Sequence, residues 1–172
     1  TMFAPQYIEN KLKFFPFISE AVCHGADKEN VTAFINIDLE AVGNWAERQG
    51  ISYSSYQDLA GRDEVYARVK ECVEQVNRDL ANDSELAGAQ ISRFLILPKA
   101  LDADDGELTR TRKVRRRIIA ERYQPLIEAL FSDADTAYIE SQMTFEDGRQ
   151  GTLKATVKVS DTETYPAMRA AS

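Results

Sequence analysis

The segment GELTRTRKVRRR, residues 106–117, puts Arg110, Arg112, Lys113, Arg115, Arg116 and Arg117 within eight positions of a chain whose net charge is -7. Three kinds of chemistry suit such a run: a surface that binds polyanions, a solvated helix start, or a site that handles one phosphate. On a helix Lys113 and Arg117 share a face with Arg116 beside them, while Arg115 points elsewhere, so the cations form no single flat track. Cations at a helix start also oppose the macrodipole at roughly 0.3–1 kcal/mol each, whereas an anion there is held by side chains and free N–H groups together. The run carries no aromatics of the kind a single-strand binder interleaves for base stacking. The preceding DADDGEL is expected to be a flexible acidic loop in which Asp102, Asp104 and Asp105 hold the arginines by ion pairing when no ligand is bound. Such a loop favours a presented lysine over a polynucleotide track.

The rest of the composition narrows the classes. Twenty-eight acidic against 21 basic residues argue against a dedicated nucleic-acid binder, whose affinity comes from neutralising phosphates over a broad surface. Cys23 and Cys72 have no CxxC spacing and His24 is the only histidine. Neither a zinc site nor a Cys/His nucleophile pair can then be assembled, and the thiols are expected to be free, with Cys23 and Cys72 both in the core. His24 is expected at a strand end on the surface. No metal-binding residues are assigned. No apolar run approaches the ~20 residues that cross a bilayer, and the start lacks the basic-then-apolar layout of a secretory signal. A cytoplasmic location is expected, with at most a peripheral association at the inner membrane face. TMFAPQYIEN enters structure without a polar lead-in, which reads as a chain cut from something longer.

The elements that would carry the run follow from periodicity. Pro5 suits a first helical turn, and Ile8, Leu12 and Phe15 continue a helix over 5–15 that Pro16 stops. ISEAVCHGA and VTAFINIDL read as a paired hairpin, the second with Val31, Ala33, Ile35, Ile37 and Leu39 on a buried face and Thr32, Phe34, Asn36 and Asp38 on the other. Asp38 caps the next helix and Gly50 ends it. Val65, Val69, Cys72, Val73, Val76 and Leu80 make a helical stripe, and QISRFLILP a third strand ended by Pro98. A helix running from Lys113 through Leu130 is kinked or restarted at Pro125. Ile139, Ser141, Met143 and Phe145 face Leu153, Ala155, Val157 and Val159 across an EDGRQG turn, a hairpin over 137–160. Trp45, Tyr53 and Tyr56 serve as packing and loop anchors. The order predicts one α+β domain with small antiparallel sheets flanked by helices and a C-terminal β-hairpin.

MFAPQYIENKLKFFPFISEAV, followed about a hundred residues later by LPKALDADDGELTRTRKVRRRIIAERY, resembles the C-terminal domain of adenylate-forming acyl-CoA synthetases, specifically the bacterial long-chain fatty-acid CoA ligases. Two motifs carry the resemblance. Pro5, Ile8 and Glu9, with Asn10 after them, match a Pro-x-x-Ile-Glu helix start, and Thr109, Lys113 and Arg116 match a Thr-x-x-x-Lys-x-x-Arg segment. Arg112 stands where the wider superfamily has Gly, as bulkier residues do in long-chain members. The similarity runs over residues 1 to about 131, and the terminal hairpin looks like the tail of the long-chain enzymes.

The resemblance implies a ligase that converts fatty acid and ATP, with Mg2+, to acyl-AMP and pyrophosphate, then lets coenzyme A displace AMP. Lys113 would reach the active site in the first step, as a compact charge between the attacking carboxylate and the α-phosphate. The domain would then rotate, bringing its N-terminal loop, Phe3, Ala4 and Pro5 included, to the coenzyme A channel. Arg115, Arg116 and Arg117 are candidates for phosphate contacts. No segment here resembles the family's phosphate loop, adenine pocket or acyl tunnel, so residues 1–172 are expected to be the mobile C-terminal domain, with the N-terminal domain of the same polypeptide as partner and no activity or tightly bound cofactor alone. A stand-alone regulatory or interaction module, binding a phosphate ligand or a protein through residues 110–117, stays open beside it.

Overall fold

The computed structural model describes residues 5–25, 30–144 and 148–167. Its frame is a four-stranded sheet. β1 (Ile18–His24) pairs antiparallel with β2 (Val31–Ile37), β2 pairs parallel with β3 (Ile91–Ile96), and the short β6 (Ser160–Asp161) closes the edge antiparallel to β3. The expected hairpin is present, but the sheet is not wholly antiparallel. Between β2 and β3 the chain runs through α2 (Leu39–Arg48), α3 (Tyr56–Ala60) and α4 (Asp63–Ala81), the long crossover that parallel neighbours require. α1 (Pro5–Lys13) stops three residues before Pro16, leaving Phe15 in the following turn, packed on the core.

Helices α1–α4 cover one face of the sheet. Ile8 and Leu12, Val42 and Ala46, Leu59, and Val65, Val69, Val73, Val76 and Leu80 pack there on Val31, Ala33, Ile35 and Ile37. The expected α4 stripe is present, with Cys72 half-buried at its margin. The other face is covered by α5 (Arg116–Arg122), α6 (Gln124–Leu130) and a separate two-stranded hairpin, β4 (Thr136–Thr144) and β5 (Gln150–Lys158). Ile119, Tyr123, Leu126, Ile139, Ala155 and Val157 meet Phe34, Leu95 and Leu97 there. β2 is therefore buried on both faces, Thr32 and Asn36 included. The sequence's alternation suggested one wet face, and burial of the polar positions is the correction.

Local signals hold where they are self-contained. Asp38 Oδ1 accepts from Ala41 N at 2.9 Å to cap α2, and Gly50 has φ 74°, a conformation that costs glycine little. Pro125 starts α6 rather than bending one long helix. The Tyr56 hydroxyl oxygen accepts Ile37 N–H at 3.1 Å at the end of β2, and Trp45 meets the Phe17 ring edge-on. The hairpin register sets Ile139 opposite Ala155 and Ser141 opposite Leu153. Phe145 and the Asp of the expected Asp-Gly turn lie outside the described residues.

Candidate functional site: the Lys113 turn and its two anchors

Lys113 is not on a helix. α5 begins at Arg116, and residues 108–114 form a tight turn closed by a bridge between Leu108 and Val114. Thr109 N–H donates to Lys113 O at 2.8 Å, Arg112 N–H to Thr109 O at 2.9 Å, and Lys113 N–H to Thr109 Oγ1 at 3.0 Å. Thr109 therefore closes the turn with both its backbone and its hydroxyl. Arg112 takes φ 62°, the left-handed conformation that is cheap for glycine and costs other L-residues roughly 1–2 kcal/mol. The Lys113 side chain is exposed, with no ion-pair or hydrogen-bond partner among the described residues.

Two buried charge clusters fix this turn. The first joins the two sequence motifs across 107 positions: Arg116 Nη1 donates to Glu9 Oε2 at 2.8 Å, and Nη2 to Oε1, a two-pronged pair. Glu9 is 5% exposed and also accepts Cys23 N–H at 2.7 Å. The Glu9 hydrogen bonds, against a cost of burial, raise the pKa of Arg116 further. Burial, then the charge of Arg116, lower the His24 pKa to about 4; its ring meets the edge of Phe34 at 4.4 Å and its Nε2 is sealed without a partner. His24 is thus at a strand end, as expected, but half-buried and neutral at pH 7. Burial and the Glu9 charge push the Cys23 thiol well up.

The second cluster sits under the base of the turn. Glu107, fully buried, accepts from Lys99 Nζ and Tyr123 OH, from Asp102 N–H at 3.1 Å and from Arg122 Nη1 at 3.3 Å. Its backbone carbonyl accepts Arg115 N–H at 2.9 Å. Lys99 Nζ also lies 2.9 Å from Asp105 Oδ2, with both side chains about 5% exposed or less. Asn36 of β2 clamps the strand of chain above it, donating Nδ2 to Lys99 O at 2.9 Å and accepting Leu101 N–H at 2.8 Å. Burial raises the Asp105 pKa, but hydrogen bonding and charge from Lys99, with Thr144 N–H, outweigh it and hold the carboxyl below its usual range. Burial, then the Glu107 charge, push the Tyr123 hydroxyl well up, so it remains the donor.

These contacts correct the expectation for the acidic loop. Of its three aspartates, Asp105 is the one with a buried side chain and pairs with Lys99, not with the arginines, and Asp102 Oδ1 accepts Asp104 N–H at 2.7 Å. Of the candidate phosphate contacts, Arg116 is committed to Glu9, Arg117 pairs along α5 with Glu121 at 3.3 Å, and Arg115 is exposed beside Gly106. Pro5 opens α1, and Phe3 and Ala4 lie outside the described residues. Among the described residues no group of three or more His, Cys, Asp or Glu is gathered as for a metal. Composition and periodicity did not single out Lys99, Glu107 and Tyr123. Glu9 carried a signal, since it borders the Ile8 and Leu12 stripe on the buried side of α1.

A family model described as the AMP-binding enzyme C-terminal domain matches residues 1–135. Long-chain-fatty-acid–CoA ligase FadD15 of Mycobacterium tuberculosis is 35% identical over 130 residues, 75% of this chain and 21% of that protein. The putative fatty-acid–CoA ligase fadD11 of the same organism is 32% identical over 130 residues, 75% and 22% of the two chains. The peroxisomal long chain acyl-CoA synthetase 7 of Arabidopsis thaliana is 28% identical over 133 residues, 76% and 17%. The chain thus spans roughly a fifth of the length of these relatives. Among solved structures, the A-PCP didomain of carboxylic acid reductase from Segniliparus rugosus in complex with AMP has a TM-score of 0.55 at 16% identity, over 76% of this chain and 16% of that one. That likeness is one of fold.

Proposed function

Since the chain belongs to the family of AMP-binding enzyme C-terminal domains, we propose that it is the mobile C-terminal part of an AMP-forming long-chain fatty-acid CoA ligase and that Lys113 is its adenylation lysine. The observation that carries this reading is an exposed ammonium, without a partner among the described residues, at the closing position of a turn whose base is held by two charge clusters. A surface that only needed solvation gains nothing from burying Glu9 and Glu107 beneath it, because desolvating charge costs several kcal/mol per ion unless the geometry compensates. A catalytic cation gains positional definition from the same arrangement.

In the first half-reaction a fatty-acid carboxylate oxygen attacks the α-phosphorus of ATP, Mg2+ travelling with the nucleotide, and pyrophosphate leaves. Negative charge builds on the transferring phosphoryl group between two anionic reactants. Lys113 answers it with a compact point charge that touches carboxylate and α-phosphate at once, its backbone already held in the turn. In the second half-reaction the thiol of coenzyme A attacks the acyl carbonyl and AMP leaves with the bonding electron pair. Lys113 has no role there, and the domain is turned so that the segment ending at Pro5 lines the thiol's path. Arg115 and Arg117 are left as the candidate contacts to the phosphates of coenzyme A.

The test is a pair of half-reactions on the full-length ligase, wild type against Lys113→Ala: fatty-acid-dependent ATP/pyrophosphate exchange, and conversion of preformed acyl-adenylate plus coenzyme A to thioester. Exchange should fall by about 10²-fold or more, the loss typical of removing one preorganised charge-stabilising donor, with thioester formation kept. Survival of both would make the basic run a solvated or partner-binding surface and end the assignment of Lys113.

A further inference from the structure

The family match ends at residue 135, and the β4–β5 hairpin starts at Thr136. Its apolar side is buried on α6 and the sheet through Ile139, Leu153, Ala155 and Val157. Its far end does something packing alone does not require. The backbone N–H of Thr144, the last residue of β4, donates to Asp105 Oδ1 at 2.8 Å. From there the contacts continue inward: Asp105 to Lys99 at 2.9 Å, Lys99 to Glu107, and the Glu107 carbonyl to Arg115 N–H at 2.9 Å, two residues past Lys113. Each link is charged, charge-assisted or a backbone bond closing the turn, and Lys99, Asp105 and Glu107 have side chains 5% exposed or less.

We infer that the C-terminal hairpin is a positioning element for the Lys113 turn, acting through the Thr144 N–H and Asp105, with Asp105 and Lys99 as positioning residues for adenylation; this rests on the assignment of Lys113 above. Asp105 has two oxygens and two partners of different origin, the hairpin backbone on one and Lys99 on the other. Without Thr144, Asp105 keeps Lys99 but loses the bond that fixes its own orientation. Without Asp105, Lys99 retains Glu107 alone and the chain between residues 99 and 107 loses its tie to the hairpin. Because hydrogen-bonded charge networks in low dielectric are strong when complete and costly when partial, loosening one end is felt at the other.

The experiment uses Thr144→Pro, which removes a donor not used in the ladder while keeping the side-chain volume small, together with Asp105→Asn and Asp105→Ala, all in the full-length ligase. Three quantities are read: ATP/pyrophosphate exchange, thioester formation from preformed acyl-adenylate, and hydrogen exchange of the amides of residues 108–115. Expected for Thr144→Pro and Asp105→Ala is an exchange rate at least about tenfold lower with thioester formation within about twofold of wild type, the scale of loss that follows ångström-level misplacement of a catalytic group. Amides of Thr109 and Arg115 should lose protection in parallel, and Asp105→Asn, which can still accept the Thr144 N–H, should fall between wild type and Asp105→Ala. Wild-type exchange and wild-type amide protection in Thr144→Pro overturn the inference. So does an equal fall of both half-reactions that tracks melting temperature, the mark of a merely structural hairpin. Lys113→Ala is run alongside: if it leaves ATP/pyrophosphate exchange intact the adenylation reading fails, and the amide protection alone then decides whether the hairpin positions the turn.

Discussion

Removing Arg116 should be more damaging than neutralising Glu9, although the two form one pair. Glu9 is 5% exposed while the Arg116 side chain is 38% exposed. Arg116→Leu leaves a carboxylate buried with only the Cys23 N–H for company. Stranding one partner of a buried pair costs about 3–5 kcal/mol, and the partial exposure of this pair puts it at the lower end, near 3 kcal/mol. Glu9→Gln keeps an oxygen for the Cys23 N–H and frees a guanidinium that can reach water, so the loss is that of the charged hydrogen bonds, about 1.5–2 kcal/mol. For 172 residues an unfolding entropy near 2.1 cal/mol/K per residue is about 0.36 kcal/mol/K, so these losses correspond to melting-point drops of about 8 °C and about 5 °C. The double variant Glu9→Gln/Arg116→Leu should be less destabilised than the sum, because the stranded anion is gone. The assay is urea and thermal unfolding of the four proteins, with the coincidence of fluorescence and circular dichroism transitions checked first. Arg116→Leu no worse than Glu9→Gln, or strictly additive losses, would refute the claim that Glu9 is a buried charge dependent on Arg116.

Two further outcomes are expected. The His24 ring should titrate near 4 by NMR, against an ordinary 6.5. Its folded pKa lies below its unfolded one, so the unfolded chain binds the extra proton first and stability falls as pH drops from about 6.5 to about 4, by at most ~1.4 kcal/mol per pH unit; His24→Phe should flatten that slope, and a midpoint near 6.5 contradicts the packing described. At Arg112, glycine relieves a left-handed φ costing roughly 1–2 kcal/mol but adds chain entropy of about 0.5–1 kcal/mol, so Arg112→Gly should leave unfolding free energy unchanged or slightly raised while the β-branched Arg112→Val lowers it; a valine variant as stable as the glycine variant would show that the turn rearranges.

What could be read in advance divides along the range of the interactions. The Asp38 cap, the Gly50 stop and the restart at Pro125 depend on residues a turn apart, and each is written in the local sequence. The parallel pairing of β2 with β3 depends on 53 intervening residues, from 38 to 90, and no local pattern distinguishes it from a meander. Phe34 and Asn36 alternate with smaller apolar residues and so read as an outer face, yet that face is covered by α5, α6 and the hairpin. The Lys113 turn was misplaced because Val114, Ile118 and Ile119 extend an apolar period backward past the true helix start at Arg116, and periodicity is blind to the bridge at Val114. Lys99 and Glu107 are legible only through each other, since either alone defaults to the surface. The fold class was legible in the sequence; the scaffolding beneath Lys113 was not, because it is built from charges whose partners are distant.

The Glu9–Arg116 pair also has a consequence for how the chain reaches its native state. Its two ends enclose 106 residues, and the Thr144 bond to Asp105 adds a second long closure from the opposite terminus. Contacts of such separation form late, after the entropy of closing the loop has been met by the packing between. During synthesis, residues 106–117 emerge before β4, which carries the Thr144 donor to Asp105. A chain cleaved before residue 144 would carry every residue of the Lys113 turn and lack the Thr144 N–H bond to Asp105 beneath it.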